Sequence, residues 1–230
     1  MNKITYWLFG ALSVLLLIAA WFQLLPTTVT EVAGFITGVV CVWLVVKENI
    51  WNWPVGIANC LFFLYTFWTV GLYADSMLQV VYVVLGFLGW YWWLYGGKDR
   101  TKLTVGRVSP IEISLLLVFS LIGLYWLTDY LTSVNDSAPF LDALTTILSL
   151  NAQYMLSRKY LENWLIWITA DVIYIGLYIW KGLYLTSITY VVFLTMCFFG
   201  YTYWRKTWRT QVKSDSSLAS SYPLTRATSI

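Results

Sequence analysis

Apolar runs of about 20 residues recur along almost the whole chain, and that recurrence decides what it can fold into. A bilayer core roughly 30 Å thick is crossed by about 20 helical residues. Only a helix satisfies its own backbone polar groups within such a run. Eight spans are predicted: Ile4–Leu25, Val29–Val46, Trp51–Val70, Ser76–Tyr95, Ile111–Leu127, Phe140–Leu156, Trp164–Trp180 and Ser187–Trp204. Only 11% of residues are charged, against about a quarter in soluble domains. A soluble globular protein, a disordered chain, a secreted disulfide scaffold and a signal peptide ahead of a soluble domain are all excluded. The expected fold is all-α and integral to the membrane, with eight transmembrane helices.

Basic residues set the sidedness. With the N-terminus in the cytoplasm, one face collects Lys3, Lys47, Lys98, Arg100, Lys102, Arg107, Arg158, Lys159, Arg205, Lys206, Arg209, Lys213 and Arg226. The other face holds only Lys181. This is a strong positive-inside bias, and it puts both termini in the cytoplasm. The net charge of +3 is explained by these juxtamembrane residues and calls for no nucleic-acid partner. After Trp208 the chain turns rich in Ser and Thr, so a solvated, disordered tail is expected.

The chain also resembles itself at one fixed offset. Asn52-Trp53 recurs as Asn163-Trp164, and Gly71-Leu72-Tyr73 recurs at the same spacing as Gly182-Leu183-Tyr184. Lys47 and Arg158, Ser76 and Ser187, Gly89 and Gly200, and Trp93 and Trp204 keep that spacing without gaps. Three helices per unit with one helix between them make the two units parallel, related by an axis along the membrane normal. The predicted organisation is an extra N-terminal helix (1–28), a first three-helix repeat (29–95), a basic loop and linker helix (96–139), a second repeat (140–205) and a cytoplasmic tail (206–230). Substrate sites in such folds commonly lie at the repeat interface near the midplane.

The quoted motifs carry a resemblance. Asn52-Trp53-Pro54-Val55-Gly56-Ile57, then Gly71-Leu72-Tyr73-Ala74-Asp75 and Leu78-Gln79, are similar to the PnuC family of bacterial vitamin transporters. So are Arg158-Lys159, Glu162-Asn163-Trp164-Leu165-Ile166-Trp167, Gly182-Leu183-Tyr184-Leu185-Thr186 and Gly89-Trp90-Tyr91-Trp92-Trp93. The resemblance runs from about Val29 to Trp204. It implies a three-one-three fold related to the SWEET sugar transporters, a homotrimer, and facilitated uptake of nicotinamide riboside. A cytoplasmic kinase would trap the vitamin. The family also has members that look specialised for thiamine. One position departs from its pattern: Asp171 stands where an Asn usually follows the Asn-Trp-x-x-Trp motif by four residues. The resemblance favours nicotinamide riboside as the vitamin, with thiamine as the alternative.

Asp171 is the one carboxylate expected at mid-depth, where a charge is costly and is by default a functional site. It suits a ligand with a fixed positive charge on an aromatic ring; the alternative is a hydrogen-bonded bridge between helices. Trp167, Asp171, Tyr174 and Tyr178 follow 4-3-4 spacing and share a helix face. Such a face can cradle an aromatic cation by stacking and cation–π attraction. Ordinary packing is preferred for Tyr178. The matching positions in the first half are Gly56, Cys60, Phe63 and Phe67, so one asymmetric site is expected.

Amides can pair with a carboxamide or with ribose hydroxyls. Asn59, Gln79 with Tyr82, Asn151 and Gln153 are the candidates, each weighed equally against interhelical hydrogen bonding. Asn151 and Gln153 are two positions apart and cannot share a face. Gln153 is preferred, because it extends the stripe Thr145, Ser149, Gln153. Asn52 and Asn163 are expected to cap helices, and Trp53 and Trp164 to lie in an interfacial belt, with an inner gate as the alternative. Cys41, Cys60 and Cys197 read as small apolar residues.

No histidine is present, no metal-ligand spacing occurs, and no phosphate-binding loop appears. No metal, cofactor or ATP drive is expected. The expected function is a uniporter for a dephosphorylated cationic B vitamin. A membrane-embedded receptor or enzyme is the reading from a different class.

Overall fold

The computed structural model describes residues 29–69, 73–182 and 184–221, together with Phe22. The expected first helix, Ile4–Leu25, otherwise lies outside the described residues. So do Lys3, Gly71, Leu72, Leu183 and Arg226. Among the described residues there are seven α-helices: α1 (Val29–Val46), α2 (Asn52–Thr69), α3 (Tyr73–Tyr95), α4 (Pro110–Ser133), α5 (Pro139–Ser157), α6 (Asn163–Trp180) and α7 (Tyr184–Ser221). Four contain stretches long and apolar enough to cross a membrane: Ser76–Tyr95, Pro110–Ser133, Asn163–Trp180 and Thr186–Ser214.

Local chemistry accounts for the helix ends. Pro110 and Pro139 stand in first turns, where a missing N–H is no loss. Ser109 and Glu112 form a reciprocal capping box at the start of α4. The ends of α1 and α5 are twins. The N–H groups of Glu48 and Asn49 return to the carbonyls of Val45 and Leu44, and those of Lys159 and Tyr160 return to Leu156 and Met155, all at 2.9 Å. Glu48 and Lys159 sit in left-handed backbone, with φ of 53° and 57°. This is the Schellman stop, which usually falls on Gly.

Two helices outrun expectation. α4 continues beyond Leu127 to Ser133. The chain after Trp208 is helical through Ser221, so the expected disorder does not begin there. Arg205 to Lys213 contains no Gly or Pro and is dominated by straight-chain residues, which keep a helix going past the apolar stretch.

α1 packs on α2, α2 on α3, α5 on α6 and α6 on α7. Across the middle, α1 meets α7 and α3 meets α5, so the first helix of each group of three lies against the last of the other. α4 packs on α5 and has no buried residue. Its Leu115, Leu121, Tyr125 and Trp126 are exposed, an apolar surface suited to lipid.

A buried apolar cluster lies at the end that holds Lys47, Arg107 and Arg158, called here the basic end. Trp53, Trp93, Trp164 and Trp204 are buried there with Val45, Val46, Val105, Leu156 and Leu161. Trp53 meets Trp93 edge to face at 5.4 Å, and Trp164 meets Trp204 at the same distance. The indole N–H of Trp93 donates to the Leu156 carbonyl, and that of Trp204 to Val45, both at 3.1 Å. Val45 and Leu156 are themselves equivalent positions of the two halves, as Trp93 and Trp204 are, so the two crossings are reciprocal. Ser76 and Ser187 repeat the pattern, bonding the carbonyls of Leu64 and Ile175.

The loop after α3 closes over this cluster. Gly106 N–H donates to Lys159, Leu161 N–H donates to Gly106, and Val105 is buried in the core. Arg107 pairs with Glu162. The Tyr160 hydroxyl donates to both Glu112 carboxylate oxygens at 2.9 and 3.0 Å. Burial first, and then that neighbouring carboxylate, raise the Tyr160 pKa above the ordinary tyrosine value.

Gly89 and Gly200 are where the backbone must have no side chain. A Cβ at Gly89 would run into the Trp53 ring, and one at Gly200 into Trp164. Gly200→Val is therefore expected to cost about 1–3 kcal/mol through overpacking. Gly176→Ala, where a Cβ meets nothing within 4 Å, should be neutral or add up to about 1 kcal/mol of helix stability. Thermal unfolding of the purified variants in detergent checks the contrast.

Candidate functional site

A cavity of about 480 Å³ lies between the two groups of three helices, on the far side of the tryptophan cluster from the basic residues. Both groups line it. α1 brings Gly38, Cys41, Val42 and Val45; α2 brings Asn52, Trp53, Asn59, Cys60 and Phe63; α3 brings Gln79 and Tyr82. α5 supplies Ser149 and Gln153, α6 supplies Asn163, Trp164, Trp167, Asp171 and Tyr174, and α7 supplies Tyr190, Phe193 and Cys197. The described lining contains no Lys or Arg.

Asp171 is 3% exposed and sits on α6 at the cavity wall. One carboxylate oxygen accepts from the Cys197 thiol at 3.5 Å. A thiol is a weak donor. No ion pair joins this carboxylate to a described Lys or Arg. In the first half, the equivalents of Trp167, Asp171, Tyr174 and Cys197 are Gly56, Cys60, Phe63 and Gly86. The acid therefore has no counterpart on the opposite wall.

Aromatic rings build the rest. Tyr174 stacks on Tyr190 with centroids 4.5 Å apart, and Tyr178 stacks on Tyr190 at 5.3 Å. Phe193 meets Tyr190 edge-on. The Tyr174 hydroxyl lies 3.4 Å from that of Ser149. These rings are held by one another, which fixes a flat apolar wall beside the carboxyl.

Of the predicted binding residues, the structure brings Asp171, Trp167, Tyr174, Gln153, Asn59, Gln79 and Tyr82 to the cavity, and Asn151 elsewhere. Asn151 is buried and its amide donates to the Ser120 hydroxyl of α4 at 2.6 Å. Its expected alternative, a bond between helices, is what it makes. Gln153 faces the cavity because two further steps of helix turn it to another face. Asn59 shares its wall with a bond to Thr37 at 2.5 Å, which ties α2 to α1.

The motif residues differ from expectation. Asn52 and Asn163 do not cap by accepting from helix N–H groups. Their amides donate backward, to the carbonyls of Asn49 at 2.8 Å and Tyr160 at 2.6 Å. Trp53 and Trp164 are 3% and 1% exposed and are not belt residues. Each ring is wedged against a glycine of the next helix. Their indole N–H groups and the Asn163 carbonyl are buried with no hydrogen-bond partner among the described residues. All three residues line the cavity, and an unpaired buried group costs about 1–3 kcal/mol. Sequence reasoning misses Tyr190 and Phe193. They are the second-half equivalents of Gln79 and Tyr82, and that correspondence is the signal for them. The three cysteines also line the cavity, and Cys197 holds the carboxyl.

A family model described as nicotinamide mononucleotide transporter matches residues 28–206. The chain belongs to this transporter family. It is 27% identical over 200 residues to the nicotinamide riboside transporter PnuC of Escherichia coli K12, covering 76% of this chain and 84% of that one. It is 29% identical over 205 residues to the protein of the same name from Haemophilus influenzae, covering 85% and 87%. A crystal structure of the vitamin B3 transporter PnuC superposes with a TM-score of 0.64 at 26% identity, over 87% of this chain and 91% of that one. This transporter is thus an all-helical membrane protein, with its cavity inside the segment that the family match covers.

Proposed function

We propose that this transporter carries nicotinamide riboside across the bacterial inner membrane as a uniporter, by facilitated diffusion. One observation supports this most: a cavity of about 480 Å³, within the size range of small-molecule sites, with an acid beside stacked aromatic rings. The pyridinium ring is a flat cation and suits that wall. Ribose hydroxyls and the carboxamide suit the amides of Gln153, Asn59 and Gln79. Relatives named for nicotinamide riboside favour that ligand over thiamine.

The family description carries the mononucleotide, and the relatives' names carry the riboside. The two differ by a phosphate. A phosphate entering this cavity finds a carboxyl and no Lys or Arg in the described lining, so its desolvation goes unanswered. The dephosphorylated vitamin is the better substrate, and a cytoplasmic kinase would trap it by adding that charge. In liposomes holding only this protein, labelled riboside should equilibrate without ATP or an ion gradient, and calorimetry should give at least about tenfold weaker binding of the mononucleotide. Equal affinities would overturn the phosphate argument; absence of flux would overturn the transporter's proposed mode.

The fuller architecture belongs to the same reading: eight helices, an N-terminal helix before a three-one-three parallel repeat of SWEET-like form, and both termini in the cytoplasm. The reciprocal contacts between equivalent positions support the repeat. The basic residues gathered at one end support that face as cytoplasmic. The family resemblance supports a homotrimer. Transport, rather than catalysis or a receptor role, fits relatives named as transporters.

A further inference from the structure

The turns that end α1 and α5 hold opposite charges at equivalent positions. Glu48 and Lys159 keep the spacing of the sequence repeat, and their side chains pair at 2.9 Å. Lys159 is only 7% exposed. Its ammonium also donates to the Leu103 carbonyl at 3.0 Å and lies 4.7 Å from the Trp93 ring centroid. Both residues occupy left-handed backbone, which disfavours a side chain. Glycine would end these helices more cheaply. Among the described residues Asp99, Arg100 and Asn135 share this backbone; at Glu48 and Lys159 it brings two opposite charges together.

The pair joins the two groups of helices, because Glu48 follows α1 and Lys159 follows α5. The Trp93 bond to Leu156 and the Trp204 bond to Val45 cross the same boundary. Together these contacts close the floor of the cavity, since Trp53 and Trp164 line it and rest on Trp93 and Trp204. A ligand leaving through the basic end must separate Val45 from Trp204 and Leu156 from Trp93. That movement draws the two turns apart. We propose that Glu48 and Lys159 form an ionic latch that holds the basic end shut, and that the cavity opens to that face only when the pair separates. The latch rests on the transporter reading only in requiring that the cavity open at that end.

Three native thiols line the cavity, so opening can be read without substrate. A membrane-impermeant methanethiosulfonate reagent is applied to one face or the other of oriented vesicles, and modification of Cys60 is followed by mass spectrometry. Glu48→Gln and Lys159→Met should each speed labelling from the basic face by about tenfold, because removing one partner leaves the other charge unpaired. Labelling from the opposite face should not change. The double variant should label no faster than either single one, since both remove one interaction. Glu48→Gln keeps the size of the side chain and is the safer of the two for folding. Basic-face rates within about twofold of the unaltered protein would overturn the latch. So would a rise from both faces alike, because the pair would then hold the whole bundle rather than one end. These outcomes stand even if nicotinamide riboside proves not to be the cargo.

Discussion

Asp171→Asn is expected to weaken nicotinamide riboside binding by about tenfold to a hundredfold. The substitution keeps shape and volume, so it removes charge and little else. The carboxyl is buried on the cavity wall, and its one described hydrogen bond comes from a thiol. Opposite unit charges about 4 Å apart attract by about 4 kcal/mol at an effective dielectric near 20. Desolvation of both ions offsets part of that. A net loss of about 1.4–2.8 kcal/mol remains, which is the predicted range. The reduced riboside has the same carboxamide and ribose but a neutral ring, and should bind the variant and the unaltered protein equally. Calorimetry with both ligands isolates the charge term. If the oxidised riboside bound the Asn variant within twofold, Asp171 would be acting as a hydrogen-bonding group and not as a counter-ion.

What the sequence could convey divides along physical lines. Helix positions were readable because a bilayer imposes one length on every span: Val29–Val46 agrees at both ends with α1. The face shared by Trp167, Asp171 and Tyr174 was readable because helix period is local, and all three reach the cavity. The separation of Asn151 from Gln153 followed from the same period. The role of Trp53 and Trp164 was not readable. An interfacial tryptophan and one wedged against a glycine on another helix have the same local sequence. The Glu48–Lys159 pair escaped for a different reason. A search for self-similarity finds positions that match, such as Lys47 and Arg158. Glu48 and Lys159 meet because they are complementary, and complementarity looks like divergence in a comparison of repeats. The helical end of α7 was not readable because composition reports the solvent a helix meets, not whether it stays a helix.

Trp204→Ala is expected to destabilise the protein by about 3–5 kcal/mol, more than any other substitution named above. Trp204 is fully buried. Its ring meets Trp164 at 5.4 Å and Trp93 at 5.8 Å, so it touches the tryptophans of both halves. Truncation leaves a cavity too enclosed to collapse, because Gly200 already admits the Trp164 ring with no room to spare. It also strips the Val45 carbonyl of the indole donor that crosses between halves. Trp204→Phe restores most of the volume but not the donor, so it should recover part of the loss and leave about 1–3 kcal/mol. Trp68→Ala, at an exposed ring on α2, should cost little in detergent. Thermal unfolding of the purified proteins orders the three. If Trp204→Ala melted like Trp68→Ala, the tryptophan cluster would not be the rigid floor on which the cavity and its closed end both depend.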